Sequence, residues 1–365
     1  MKKVTGLIIK EIKEYTKENT LLLTYMLPLA MIFIIGYGLN LDTEHVRTLI
    51  VDRDKTVASL KFSQQFYNTK YFDTQTLEMS DEEAMKQFRT NKIDLLIMIP
   101  SSFEKNLIKG ATVHLGIYID GVYPMSSKTI TGYVKAAFYN FISKETMVKP
   151  KIIYEPRNLF NQAMRTKWAI IPGAIALILL LVPAMFSALM VVKEKEHGTI
   201  FNFYTSSLSK SEFLIGKVLP SFLINFVTVV VLFLMAIFLF DLPLRGSIPL
   251  YFISSVLFLL ISIGIGLLVS NMTKSQVAAI MLTALVTILP GVLYSGMMTP
   301  IDAMDGTAYV MAHLYPIMYF VKIMYDIFLI GDGFSSPMIV EYLLILMLFV
   351  IVIYLMNYLL LRKKL

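Results

Sequence analysis

Six stretches of the chain run for about twenty residues without one charged side chain: Leu21 to Leu41, Trp168 to Val192, Val218 to Phe240, Ile248 to Ser270, Val277 to Met298 and Tyr342 to Leu361. A hydrocarbon core of ~30 Å needs about 20 helical residues at ~1.5 Å rise each, so every run is long enough to cross a bilayer. Lipid offers no partners to backbone N–H and C=O groups, which leaves the helix as the conformation for such runs. With 56% hydrophobic and 16% charged residues and a mean hydropathy of +0.66, the chain lies outside soluble usage. The expected fold class is an α-helical polytopic membrane protein with six transmembrane helices.

Charge distribution sets the topology. With the N-terminus in the cytosol, the short inner segments carry thirteen basic residues, among them Lys10, Lys193, Lys195, Lys210, Lys217, Lys274 and Arg362, while the short outer loops carry two, Arg245 and Lys322. This obeys the positive-inside rule and places both termini in the cytosol. A seventh apolar stretch, Tyr309 to Ile330, holds His313, Pro316, Lys322 and Asp326. Counting it as a span would put Arg362, Lys363 and Lys364 outside, so it is expected to be a re-entrant or interfacial helix within an outer segment, 299–335.

Residues 1–20 precede the first span, 21–41, whose charge-free run of 21 residues exceeds the ~7 to 15 of a signal-peptide core. Val4, Ile8, Ile12 and Tyr15 recur at helical spacing, with Lys10, Lys13, Glu14 and Lys17 on the other side. This is an amphipathic helix expected along the inner membrane surface.

Between the first two spans, 42–167 has soluble composition, with 18 basic and 14 acidic side chains. It is expected to be an extracytoplasmic mixed α/β domain inserted after the first helix. Strands are expected at Val46 to Val51, Tyr71 to Leu77 and Ile93 to Ile99. A helix at Val57 to Asn68 is expected to turn Leu60, Phe62 and Phe66 inward. Ser80 and Glu83 form a capping box opening another helix, and a Ser-capped helix spans Phe103 to Lys109. Val113, Leu115, Ile117 and Ile119 alternate with polar or small residues, and a long helix runs from Ser126 to Lys144. A spacer packing on itself and a substrate- or partner-facing role stand equal on pattern alone.

Several chemistries are excluded or disfavoured. No cysteine occurs, and the four histidines are scattered, so neither thiolate nor histidine-based metal sites are expected. No phosphate-cradling glycine loop is present; Gly216-Lys217 lacks the upstream glycine. Charge-free spans argue against a gradient-driven carrier, which needs ionisable groups at depth. The net charge of +7 reflects membrane topology rather than nucleic-acid binding.

Two regions carry further information. After the second span the charge cluster Lys193-Glu194-Lys195-Glu196-His197 meets Gly198, and Thr199, Ile200, Phe203, Tyr204 and Leu208 follow. An apolar face in the cytosol needs a partner or the lipid surface. The fifth span contains Pro290-Gly291, which should kink or break its outer third, followed by Ser295, Gly296, Pro300 and Pro316.

These strings, with Val51-Asp52-Arg53-Asp54, Ile99-Pro100-Ser101-Ser102-Phe103, Tyr154-Glu155-Pro156-Arg157 and Ile171-Pro172-Gly173, resemble the permease subunit of ABC type 2 transporters, in particular the subgroup with a large outer domain after the first span. The resemblance covers nearly the whole chain. It implies a non-enzymatic permease subunit of an ATP-driven exporter in the inner or plasma membrane, with no cofactor in this chain, and ATP and magnesium held by a separate cytosolic ABC ATPase. It also implies a second permease chain, identical or paralogous, with membrane lipid around the pair. Within 168–365 it assigns 193–217 as the ATPase-coupling segment (Glu194, Lys195, Glu196, Gly198, Thr199, Ile200, Phe203, Leu208), and Pro290, Gly291, Ser295, Gly296, Pro300 and Pro316 as a re-entrant outer gate. Cargo of drug, lipid, amphiphile or ion type stays open, as does an envelope partner of the outer domain. At Met304-Asp305-Gly306 and Tyr325-Asp326 the chain departs from the family pattern, so cargo preference does not transfer. The alternative from another class is a non-transporting receptor or assembly anchor whose outer domain binds a ligand.

Overall fold

The computed structural model describes residues 2–17, 20–38, 45–67, 69–89, 93–120, 124–145, 165–205, 208–297, 299, 301 and 304–361. In chain order α1 (Lys2–Lys17) and α2 (Thr20–Gly38) come first. Next are β1 (Val46–Asp52), α3 (Val57–Gln64), β2 (Phe72–Thr76), α4 (Asp81–Arg89), β3 (Leu95–Ile99), α5 (Phe103–Ile108), β4 (Gly116–Ile119) and α6 (Pro124–Glu145). The remainder is helical: α7 (Thr166–Glu196), α8 (Phe201–Thr205), α9 (Lys210–Phe238), α10 (Ile248–Met272), α11 (Gln276–Leu293), α12 (Gly306–Leu314), α13 (Pro316–Tyr325) and α14 (Pro337–Leu360). The chain divides into two compact units, Leu41–Arg157 and the rest.

The smaller unit is built on a sheet of order β2-β1-β3-β4. β1 pairs parallel with both β2 and β3, and β4 runs antiparallel to β3. Side chains alternate across a strand, so Val46, Ile50, Leu95, Ile97 and Ile99 join one core with Phe62, Phe66, Val134 and Phe141, while Leu49, Val51 and Leu96 join Ala84 of α4 on the other face. Burial on both faces explains the near-continuous apolar run of β3. The Ser80–Glu83 capping box closes α4 as expected, with Glu83 N donating to Ser80 Oγ at 3.2 Å and Ser80 N to Glu83 Oε2 at 3.0 Å.

Two local expectations are corrected. Leu60 is exposed while Phe62 and Phe66 are fully buried, because a residue two positions from Phe62 lies on the opposite side of a helix. Ser102 makes no side-chain cap on α5; Asp54, brought in from the loop after β1, accepts from Glu104 N at 2.9 Å instead.

In the larger unit, α7, α9, α10, α11 and α14 are each long and apolar enough to cross a membrane. α2 is apolar over Thr24–Gly38. The chain is therefore a mainly helical, polytopic membrane protein. α7 packs against α2, α9, α10, α11 and α13. Small residues let α10 approach it closely: Ser262 Oγ donates to Leu180 O at 2.6 Å and Ser187 Oγ to Ile263 O at 2.9 Å. The stretch Tyr309 to Ile330 is divided, with α12 and the segment Pro316–Ile330 bent by 80° at Tyr315, where Pro316 opens the new helix. α11 passes through Pro290 and ends at Leu293, so the run expected to reach Met298 leaves the helix short of its end.

Candidate coupling site at the end of α7

The last turn of α7 carries Glu194, Lys195 and Glu196, and each grips a different neighbour. Glu194 Oε2 lies 2.9 Å from Lys217 Nζ of α9, and its Oε1 accepts from Lys10 Nζ of α1 at 2.8 Å. Lys217 is 0% exposed and also donates to Glu11 of α1, itself 1% exposed, at 2.7 Å. α1 reaches this depth because Gly216 has no side chain; a Cβ there would overlap Leu7 Cδ2 and lie 3.0 Å from Leu7 Cγ. Burial pushes the Glu11 carboxyl above its ordinary range, and the Lys217 ammonium offsets this only in part.

The next two residues hold the turn between α10 and α11. Lys195 Nζ donates to Ser270 O, and at 3.4 Å to Thr273 O, at the carbonyl end of α10. Glu196 Oε2 accepts from Gln276 N at 3.2 Å and from Gln276 Nε2 at 2.8 Å, at the amide end of α11. A cation on a helix C-terminus and an anion on an N-terminus both complement the helix dipoles. Three consecutive side chains thus tie α1, α9, α10 and α11 to one helix end.

Beyond them, His197 closes α7 and Gly198 takes a left-handed φ of 74°, where most side chains are strained. Thr199 Oγ1 donates to Glu194 O at 3.3 Å. Ile200 and Phe203 are buried, and the Phe203 ring lies 4.1 Å from that of Phe213, centroid to centroid. Leu208 packs against the same core. The apolar residues expected to face a partner therefore fill the chain's own interior. Among the described side chains of α8 the exposed ring is that of Phe201, at 56%.

Glu11, Glu14 and Glu194 present carboxylate oxygens within 4.8 Å of one another. Lys217 and Lys10 already supply the positive charge this cluster needs. Sequence reasoning placed Lys217 at the end of the coupling segment but not as the partner of Glu194, and it missed Glu11. The available signal was an acid on the apolar stripe of α1, three residues from Ile8 and four from Tyr15.

At the opposite end of the bundle, the expected gate residues come together in part. Gly291 faces Leu177 of α7 and Ile317 of α13, next to Pro316, and Tyr315 OH donates to Val286 O of α11. Ser295 is buried and its Oγ accepts from Met297 N at 3.2 Å; Gly296 has φ 81°. Pro300 lies outside the described residues, as do Tyr154 to Arg157.

The family model described as ABC-2 family transporter protein matches residues 19–359. The chain belongs to that family. It is a permease subunit of an ABC transporter, with ATP hydrolysis residing in a separate subunit. The probable multidrug ABC transporter permease YbhS of Escherichia coli strain K12 is 28% identical over 338 residues, covering 91% of the permease and 89% of the relative. YbhR of the same strain, also a probable multidrug ABC transporter permease, is 26% identical over 88% of this chain and 89% of its own length. The linearmycin resistance permease protein LnrN of Bacillus subtilis strain 168 is 24% identical over 79% of the permease and 81% of itself.

Proposed function

We propose that the permease is the membrane half of an ATP-driven exporter of drug-like or amphiphilic cargo, as the names of its relatives suggest. In this reading it makes six crossings with both termini in the cytosol and the unit Leu41–Arg157 outside. ATP and magnesium bind in the partner ATPase, and a second permease chain completes the pathway. One observation supports this reading most: the residues next to α8 hold four helices at once. A push by the ATPase on α8 would therefore move α1, α9, α10 and α11 together, a rigid-element mechanism with few soft links. The bend at Tyr315 and its bond to α11 support a re-entrant closure at the outer mouth.

Phe201 is the residue best placed to meet the ATPase. Phe201→Glu should lower cargo-stimulated ATP turnover of the reconstituted complex several-fold while membrane insertion and thermal unfolding stay unchanged; unaltered turnover would remove α8 from the contact. Topology has its own test, because a chain without cysteine allows clean single-cysteine labelling. On intact cells a membrane-impermeant maleimide should label Ile108→Cys, in the smaller unit, and spare Met272→Cys, at the turn held by Lys195, both positions being well exposed. Labelling of both, or of the second alone, would overturn the assigned sidedness.

A further inference from the structure

We propose that a groove between α9, α10 and α14 is a binding site for an anionic phospholipid of the inner leaflet. The groove is about 320 Å³, and its walls include Leu214, Val218, Phe222, Val256, Leu260 and Tyr354. No polar atom faces it: the one hydroxyl on its wall, that of Tyr354, is turned away to donate to Leu260 O at 3.1 Å. All three helices are of membrane-crossing length and composition, so the occupant must be a hydrocarbon chain rather than a polar solute.

Charge identifies which lipid. One helical turn from Leu214 stands Lys210, and one turn from Tyr354 stands Tyr358. The two walls meet there, with Lys210 Nζ 3.4 Å from Tyr358 O and 5.5 Å from the Tyr358 ring centroid. Lys210 opens α9 within the segment 193–217, at the level where headgroups lie in the topology proposed above. An acyl chain in the groove would bring its phosphate to this ammonium. The inference rests on that sidedness, but the assay below reads lipid contact and not transport, so its outcome is separable from the exporter reading.

The chain has a single tryptophan, Trp168, which makes fluorescence quenching by brominated acyl chains specific. The full-length permease carrying Trp168→Phe and Leu219→Trp, at the groove's exposed rim, is reconstituted in vesicles of brominated phosphatidylglycerol or brominated phosphatidylcholine. A control places the tryptophan at Leu285 on the exposed face of α11. The groove position should favour the anionic lipid about five-fold, the factor corresponding to about 1 kcal/mol per basic residue near the headgroups, and Lys210→Gln should abolish the preference. The control should show none. Equal quenching by both lipids, a preference that survives Lys210→Gln, or the same preference at Leu285 would overturn the proposal. So would absence of quenching at Leu219, which would mean that protein, such as a second permease chain, covers the groove.

Discussion

Lys217→Met should destabilise the permease by about 3–5 kcal/mol, the cost of removing one partner from a buried ion pair. The substitution nearly conserves volume, so packing contributes little. What remains is two carboxylates facing one another, Glu11 fully buried and Glu194 nearly so, with Lys10 still within reach of both. Glu11 is already pushed upward by burial. Without the ammonium it would take up a proton at neutral pH or be expelled, carrying α1 off α9. Glu11→Met/Lys217→Met should restore most of the loss, because well-packed apolar residues often replace a buried pair at no net cost, and Glu194 keeps Lys10. Thermal unfolding in detergent of the wild type, the single and the double variant checks this. A single variant as stable as wild type would show that the triad holds nothing together. A double variant no better than the single would show that the lysine matters for packing and not for charge.

Much of the architecture was legible because it depends on short-range pattern. Charge-free runs of about twenty residues have one solution in lipid, and each forms helix over most of its described length. Short apolar runs at Val46 to Val51 and Ile93 to Ile99 marked strands, although the parallel register of β1 with β2 and β3 is set by helices crossing between them and is not written in any one segment. The site was less legible because its partners are remote. Lys217 pairs with Glu11 across 206 positions, and in a linear reading each obeys a simpler rule: a basic residue on the inner side, and an acid in an amphipathic helix. The same limit misplaced Ile200 and Phe203. Apolar residues in a polar segment call for a cover, but pattern alone does not distinguish a partner from the chain's own Phe213. On a helix, moving from Phe201 to Phe203 rotates the side chain by about 200°, which separates the outward ring from the inward one.

A glycine series should separate close helix contact from mere helix weakness, with Gly266→Ala the most damaging. In an open helix position Gly→Ala gains about 1 kcal/mol from propensity. At Gly132 on α6 an added methyl group would meet nothing within 4 Å, so Gly132→Ala should stabilise the smaller unit by about that amount. At Gly264 a Cβ would overlap Ile353 Cγ2 of α14, the branch methyl of a side chain with little χ1 freedom on a helix, so α14 would have to shift and the cost should offset the propensity gain, though by less than a clash with backbone. At Gly266 the Cβ would run into the Ala184 carbonyl oxygen and Ser187 Oγ of α7, with the Ala184 carbonyl carbon only 2.8 Å away. A backbone carbonyl cannot rotate away, so α7 and α10 must part, straining the Ser187–Ile263 and Ser262–Leu180 bonds. Overpacking of this kind costs about 1–3 kcal/mol or more, which exceeds the propensity gain and reverses the sign. Because α7 carries the Glu194–Glu196 grip on four other helices, the displacement should also lower coupled ATP turnover, which Gly132→Ala should leave untouched. Thermal unfolding that ranked Gly266→Ala at or above wild type would mean that α7 and α10 do not meet this closely, and the central packing of the bundle would have to be redrawn.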